Sequence, residues 1–548
     1  MSDATSTDLV EEIRAGYAFD GPALEFGAAV VDGTAHPDVT VRIPLSAMNR
    51  HGLVAGATGT GKTKTLQLMA EQLVEQGVPV FLADVKGDLS GMASPGQPND
   101  KITARSADVG MTWEPTAYPV EFYSLGGQGK GVPVRAAVST FGPTLLSKVL
   151  GLNATQESSL GLVFHYADKQ GLYLDTIADL RAVVQHLTSD EGKADLKELG
   201  GLSSATAGVI LRELITFSDQ GADAFFGIPE YDTSHLLRTA ADGRGLVSML
   251  ELPAVQDRPA LFSTFLMWLL ADLFHDLPEV GDLDKPKLVF FFDEAHLLFA
   301  DASKEFLDAI QQTVRLIRSK GVGVFFVTQS PKDVPDDVLA QLGNRVQHAL
   351  RAFTPDDAAA LKSAVRTYPH TAYDLEELLT TLGTGEAVVT VLSEKGAPTP
   401  VAWTRMRAPE SLMAPSPDAV IDAAVAASPL TAQYGQAQER ESAAEMLHAA
   451  TAEREAAEAA ASQAEAKAKA DAAAAAEAEK ARAAAEKAAA KEQAAAERAA
   501  AAEARRQANE PGVVEQVVKS SAFKSMLRSA GTVLGREITR SIFGTSRR

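Results

Sequence analysis

Between His51 and Leu73 an apolar run breaks into a glycine-rich turn and then restarts with helical periodicity, which leaves this chain few architectures. Residues 56–63, Gly56-Ala57-Thr58-Gly59-Thr60-Gly61-Lys62-Thr63, keep the spacing G-x-x-x-x-G-K-[ST]. Upstream, His51 to Ala55 reads as a buried strand; downstream, Leu66, Met69, Ala70 and Leu73 recur at helical spacing. In a strand–loop–helix of this kind the glycines let the backbone approach phosphate oxygens. Successive N–H groups and the helix N-terminus supply positive potential there. The expected ligand is therefore a nucleoside triphosphate, ATP, with Mg²⁺. Lys62 is expected to reach the β- and γ-phosphates and Thr63 to offer its hydroxyl to the metal. Gly56 through Thr63, together with Thr65, form the expected nucleotide-binding set.

The second constraining stretch is Lys287-Leu288-Val289-Phe290-Phe291-Phe292-Asp293-Glu294-Ala295-His296, an apolar strand running into two adjacent carboxylates. Asp293, at the strand's C-terminal end, is expected to hold Mg²⁺ through water. A second carboxylate beside it, Glu294, is suited to polarising a water for in-line attack on the γ-phosphate. Further on, Val322 to Val327 reads as a strand that delivers Thr328-Gln329, and Gln329 is placed to contact the γ-phosphate and sense its loss.

Composition narrows the setting. The 548 residues contain no cysteine, which removes disulfides, thiolate nucleophiles and Cys-based zinc sites. The first sixteen residues carry four acidic groups and one arginine, unlike a signal peptide. The most apolar stretch, Ala260 to Phe274, is broken by Ser263, Thr264 and Asp272 and is too short to span a bilayer. No transmembrane segment and a cytoplasmic location are expected. A net charge of −21 argues against a protein that coats nucleic acid over its whole surface. It leaves room for a ring that grips DNA inside a pore.

In chain order, residues 1–48 hold a small β-element, and residues 49–410 read as one P-loop α/β domain. Val78 to Asp84 is a buried strand ending in a carboxylate. Asp84 or Asp88 then either orders the metal's water shell or caps the next turn. Ser90 to Tyr118 reads as a long surface excursion. Residues 143–239 interrupt the α/β alternation as a helical insertion, either a lid or subunit contact or extra cover for the core. The alternation resumes at Gly245 to Leu252. The helix 303–319 ends in Arg315, Arg318 and Lys320, and Asn344 to Leu350 is a strand opening on Arg345. A proline-rich linker (411–441) follows.

Several segments resemble the HerA-type branch of the FtsK–HerA superfamily: Asn49-Arg50-His51-Gly52-Leu53, Asp293-Glu294-Ala295-His296, Thr328-Gln329-Ser330-Pro331 with Asp333-Val334-Pro335, and Asn344-Arg345-Val346. Leu152-Asn153-Ala154-Thr155-Gln156-Glu157 and Phe225-Phe226-Gly227 resemble a little-characterised bacterial group within it. The likeness runs over roughly residues 15–410. It implies a RecA-like core, a homo-hexameric ring and ATP-driven movement on double-stranded DNA. It also implies that Arg50 and Arg318 match positions used in nucleotide sensing or as an arginine finger across a subunit boundary, with Arg345 a competing finger. The short N-terminal β-region and the large insertion depart from HerA proper, so the usual nuclease partnership is not carried over.

From 442 to 510 the text is almost entirely Ala, Glu, Lys and Arg, which predicts a continuous helix. Large apolar residues are nearly absent, so a solvated helix or low-complexity linker is favoured over a leucine-type coiled coil. The tail 511–548 is basic and amphipathic, with seven basic residues against two acidic ones from Val513 onward. It is suited to docking on a protein partner, DNA phosphate or an anionic membrane surface. The reading that joins these features is a Mg²⁺-dependent ATPase ring that translocates or unwinds double-stranded DNA. Its alternatives are a ring acting on a protein partner and a nucleotide-dependent scaffold with little turnover.

Overall fold

The computed structural model describes residues 3–193, 195, 200–281, 283–299 and 304–507. The basic tail, and the last residues of the expected long helix, lie outside them. Residues 1–452 and 453–548 form two separate units.

The first unit is built on a twelve-stranded sheet. Its strands are β1 (Ala23–Val31), β2 (Thr34–Pro44), β3 (Gly52–Ala55), β4 (Val80–Asp84), β5 (Val120–Leu125), β6 (Val132–Val134), β7 (Val247–Glu251), β8 (Leu288–Phe292), β9 (Val322–Thr328), β10 (Asn344–Gln347), β11 (Glu386–Thr390) and β12 (Ala402–Met406). They lie in the order β2-β1-β12-β11-β10-β3-β9-β8-β4-β7-β5-β6. From β10 to β6 every pairing is parallel, and β11, β12, β1 and β2 extend the sheet antiparallel. The N-terminal β-element is therefore part of the same sheet, joined through β12.

Apolar runs such as Leu288–Phe292 arise because the parallel sheet is covered on both faces. Successive side chains point to opposite sides. Phe290 and Phe292 join Phe81 and Ala83 in one core, whereas Val289 and Phe291 join Val80 and Leu82 in the other. The second core also contains the helix Lys62–Glu75 through Leu66, Met69 and Leu73.

Among the described residues the insertion contains the helices Val138–Val149, Ala154–Gln170, Ile177–Thr188 and Ser204–Asp219. Asn153 with Gln156, and Thr176 with Asp179, close reciprocal capping boxes that fix two of the helix starts. Gly142, at φ 77°, kinks the first helix just before Pro143. Leu160, Val163, Leu180, Val184, Ile210 and Leu214 share one apolar cluster with Phe81, Phe290 and Phe292. These contacts make the insertion cover for one face of the sheet.

Three segments differ from their sequence reading. Asp3–Gly16 is a helix whose Leu9, Ile13 and the following Tyr17 are buried at four-residue spacing. The excursion 90–118 contains the helix Asp100–Val109, capped by Asn99 Oδ1, which accepts from Lys101 N and Ile102 N. The linker 411–441 is docked: it contains the helix Asp418–Ala427, and Leu430 and Tyr434 are buried in the insertion-side core. Arg135 Nη1 donates to Tyr434 O at 3.0 Å, and Arg440 makes two bonds of 2.7 and 2.5 Å to Asp175 while lying 3.8 Å from the Tyr173 ring centroid.

A helix runs from Ala443 to Gln507, and beyond Arg454 each described residue is exposed. With no apolar stripe to bury, its support is intrinsic propensity and exposed i,i+4 pairs such as Glu465–Lys469 and Arg482–Glu486.

Candidate nucleotide-binding and hydrolysis site

Three neighbouring strands end at one edge of the sheet. The glycine loop follows β3, Gln329 follows β9, Asp293 and Glu294 follow β8, and β9 lies between the other two. Gly56 (φ 156°), Gly59 (φ 79°) and Gly61 (φ 118°) give the loop its shape. A Cβ on Gly56 would sit 2.5 Å from His348 Cβ, whereas Gly59 faces open space. Gly61 is the N-cap of Lys62–Glu75 and has no side chain to satisfy the first helical N–H groups, which leaves them available to an anion. Loop bonds hold the turn: Gly56 N donates to Thr328 O at 3.2 Å, Ala57 N to Ala349 O at 2.8 Å and Thr60 Oγ1 to Ala57 O at 2.7 Å.

Lys62 is buried and folds back to donate to Ala57 O at 3.2 Å. Burial lowers its pKa from the ordinary lysine range, and Glu294 and Asp293 act to raise it again. Beneath the loop, His348 Nδ1–H donates to Glu386 O at 2.8 Å, which leaves Nε2 to accept the Thr65 hydroxyl at 2.9 Å. The side chain of Thr65 is thus turned inward as a support for the loop. Burial holds the imidazole of His348 neutral, at a pKa of about 4. No motif marks His348, which follows another polar residue, Gln347, at the end of β10.

Asp293 Oδ1 accepts from Glu294 N at 2.9 Å, while Oδ2 is buried and without a partner among the described residues. Burial and the adjacent Glu294 push the Asp293 pKa up to about 7. Glu294 has φ 49°, a left-handed backbone that a non-glycine residue adopts only where its surroundings hold it. Its Oε1 accepts a hydrogen bond from Lys86 Nζ, and Oε2 lies 3.2 Å from His296 Nδ1. Burial acts to raise the Glu294 carboxyl, but Lys86, His296 and Lys62 outweigh it and hold its pKa below the usual value. Nothing in the sequence marks Lys86, because the loop after β4 that carries it is far from residue 294 in the chain.

Asp84 caps the loop after β4, accepting from Lys86 N (3.2 Å), Gly87 N (2.7 Å) and Leu89 N (2.8 Å). Of the two roles open to it, the cap is the one its contacts fill. Gln329 is exposed and, with Thr58, His296 and Arg351, lines a cavity of about 550 Å³ beside the glycine loop.

The three arginines stand apart from this edge. Arg50 closes the turn before β3, and Arg318 opens the turn before β9, so both lie where those strands begin. Arg345 is paired in register with Leu53 and hydrogen-bonds Thr367 Oγ1.

The residues present fit a magnesium nucleotide. The glycines leave the space, the helix start and Lys62 supply the positive charge, and the buried, unpartnered Asp293 Oδ2 is an acceptor awaiting a donor or cation. Thr63 and Asp293 would hold the metal, and Gly56–Thr63 the phosphates. A parallel sheet that presents a glycine-cradled lysine on one strand and an Asp-Glu pair on the next but one defines a P-loop nucleoside triphosphatase. Within that class, the chain belongs to the helicase HerA-like C-terminal family, whose model matches residues 30–548.

Among curated proteins, the chain is 23% identical over 361 residues to the DNA double-strand break repair helicase HerA of Sulfurisphaera tokodaii, covering 64% of this chain and 64% of that protein. It is 21% identical over 353 residues to the protein of the same name from Sulfolobus acidocaldarius, again covering 64% of each chain. The matched region is thus less than two thirds of either relative's length. Among solved structures, the bacterial conjugative coupling protein TrwBdeltaN70 matches with a TM-score of 0.47 and 15% identity, over 72% of this chain and 91% of that one.

Proposed function

We propose that this chain is a Mg²⁺-dependent ATPase that assembles as a homo-hexameric ring in the cytoplasm and moves along, or unwinds, double-stranded DNA. Family membership and the two HerA relatives support the DNA motor. The observation that carries the chemistry is the meeting of Lys62, Asp293 and Glu294 at one sheet edge, close enough that both carboxylates bear on the lysine's ionisation.

Each side chain has one task in this reading. Lys62 leaves the Ala57 carbonyl to neutralise phosphate charge, and Asp293 would hold the metal. Glu294 takes a proton from the attacking water, and Gln329 reports whether the γ-phosphate is present. Mg²⁺, if held by Thr63 and Asp293, would offset the charge that develops on the phosphate oxygens.

Hydrolysis rates with and without duplex DNA test the proposal, and strong stimulation by DNA is the expected result. Lys62→Ala is expected to abolish turnover while circular dichroism stays unchanged. Glu294→Gln is expected to bind ATP yet hydrolyse it at least about a hundredfold more slowly, the scale of a lost general base. Stimulation by a protein partner but not by DNA would favour the ring acting on protein. Near-normal turnover in a folded Lys62→Ala chain would overturn the site assignment.

A further inference from the structure

Lys86 holds the carboxylate that the proposed reaction needs free. The side chain of Glu294 is 6% exposed and that of Lys86 49% exposed, so a buried anion is tethered by a cation whose other side is open to solvent. Lys86 takes one carboxylate oxygen, and the other, 3.2 Å from His296 Nδ1, is buried and makes no hydrogen bond among the described residues. A water approaching Glu294 therefore meets a carboxylate already engaged at Oε1. The tether is not a loosely placed surface lysine, because the N–H groups of Lys86, Gly87 and Leu89 all bind the Asp84 carboxylate. The loop is pinned at its root while the ammonium remains accessible. On the other partner, the backbone at Glu294 is left-handed, at φ 49°.

We infer that Lys86 is a positioning residue that restrains Glu294 and keeps turnover low until the ion pair opens. The inference rests on Glu294 acting as the water-polarising base. An accessible ammonium is the half of the pair for which an approaching polyanion can compete, and duplex DNA is the polyanion of the reading above. Removing the cation should have the same effect as that competition: an oxygen of Glu294 becomes available without altering the phosphate cradle around Lys62.

The test uses the full chain with ATP and Mg²⁺, with and without duplex DNA. Lys86→Met is expected to raise the DNA-free kcat several-fold with the KM for ATP unchanged, so that the ratio of stimulated to unstimulated turnover shrinks. Lys86→Arg, which retains a cation, is expected to restore the low unstimulated rate. Circular dichroism and melting temperature establish that each variant is folded; Lys86→Gln serves if the methionine variant is not. An unstimulated kcat that falls or stays unchanged in the folded variants overturns the restraint. The double variant Lys86→Met with Glu294→Gln is expected to be as inactive as Glu294→Gln alone. If Glu294→Gln itself keeps its turnover, the base assignment fails and takes the restraint with it. If only the Lys86 variants disagree, the base assignment stands and the restraint alone is wrong.

Discussion

At the scale of single residues, His348 shows how a buried side chain supports a loop it does not belong to. With Nδ1–H given to Glu386 O, its lone-pair nitrogen faces Thr65, so the neutral tautomer is built into the floor of the glycine loop. His51 is a second buried imidazole, accepting from Val324 N at 3.0 Å, and burial likewise holds it at about 4. For both, the folded pKa lies below the unfolded value of about 6.5, so the unfolded chain binds more protons between those values. The stability these two groups contribute is therefore full above pH 6.5 and is lost as pH falls from 6.5 toward 4. A fall from 6.5 to about 4 corresponds to at most roughly 3 kcal/mol for each group. The gap in melting temperature between the parent and His348→Gln should narrow as pH falls from 7 to 4.5, because the raised carboxyls such as Asp293 act equally on both. An unchanged gap would mean that His348 is protonated without cost. Lys62, Asp293 and Glu294 were legible because a spacing or a strand ending marks them. His348 and Lys86 were not, because they reach the site from other strands and a linear pattern carries no trace of that approach.

At the scale of elements, the strands were the most readable part. Two-sided burial writes them as unbroken apolar runs, and Leu288–Phe292 falls where the sequence places it. The helix Asp3–Gly16 went unread although Leu9, Ile13 and Tyr17 carry a four-residue period, since three positions are too few to stand out. The helix Asp100–Val109 buries only Ile102 and Val109, so it has almost no periodic signal. Some family-marking residues prove to be structural. Asp333 Oδ2 accepts from Thr328 Oγ1 at 2.7 Å and Ser330 N at 2.9 Å, which fastens the turn after β9. Asn344 Nδ2 donates at 2.9 Å to both Ala47 O and His51 O, and its Oδ1 accepts from Leu392 N at 3.0 Å. Asn344→Leu keeps the volume and takes the side-chain partner from Ala47 O and Leu392 N, while His51 O keeps the backbone N of residue 344 at 3.1 Å, so a loss of about 2 kcal/mol is expected. Chemical denaturation would measure it; a loss under about 1 kcal/mol would show that the backbone groups find other partners.

At the scale of the whole molecule, the edge holding the glycine loop is separated from the strand beginnings that carry Arg50 and Arg318. A cation there can complete the site most simply from a neighbouring copy in a ring. A finger supplied in this way typically contributes about 10³-fold or more to kcat. If Arg318 is that finger, Arg318→Ala and Glu294→Gln chains should each be nearly inactive, and mixed rings should recover part of the rate, because some boundaries pair an intact Glu294 with an intact Arg318. No recovery despite verified mixing, in rings whose sites fire independently, would place Arg318 in cis and pass the role to Arg345. No helix among the described residues is long and apolar enough to cross a membrane.

The docking of residues 430–447 has a practical consequence for anyone shortening the chain. The prolines around 409–417 look like a natural border, yet a cut at 410 would remove Tyr434, which is 0% exposed, from beside Tyr231 and His235 and would leave Asp175 without Arg440. Freshly bared aromatic surface of that kind binds hydrophobic dyes and draws chains into aggregates. A chain ending at 452 should melt close to the full-length protein and stay monodisperse on sizing, whereas one ending at 410 should melt earlier and bind dye. The stable trimming point is thus set by a tyrosine and an arginine some distance past the last proline.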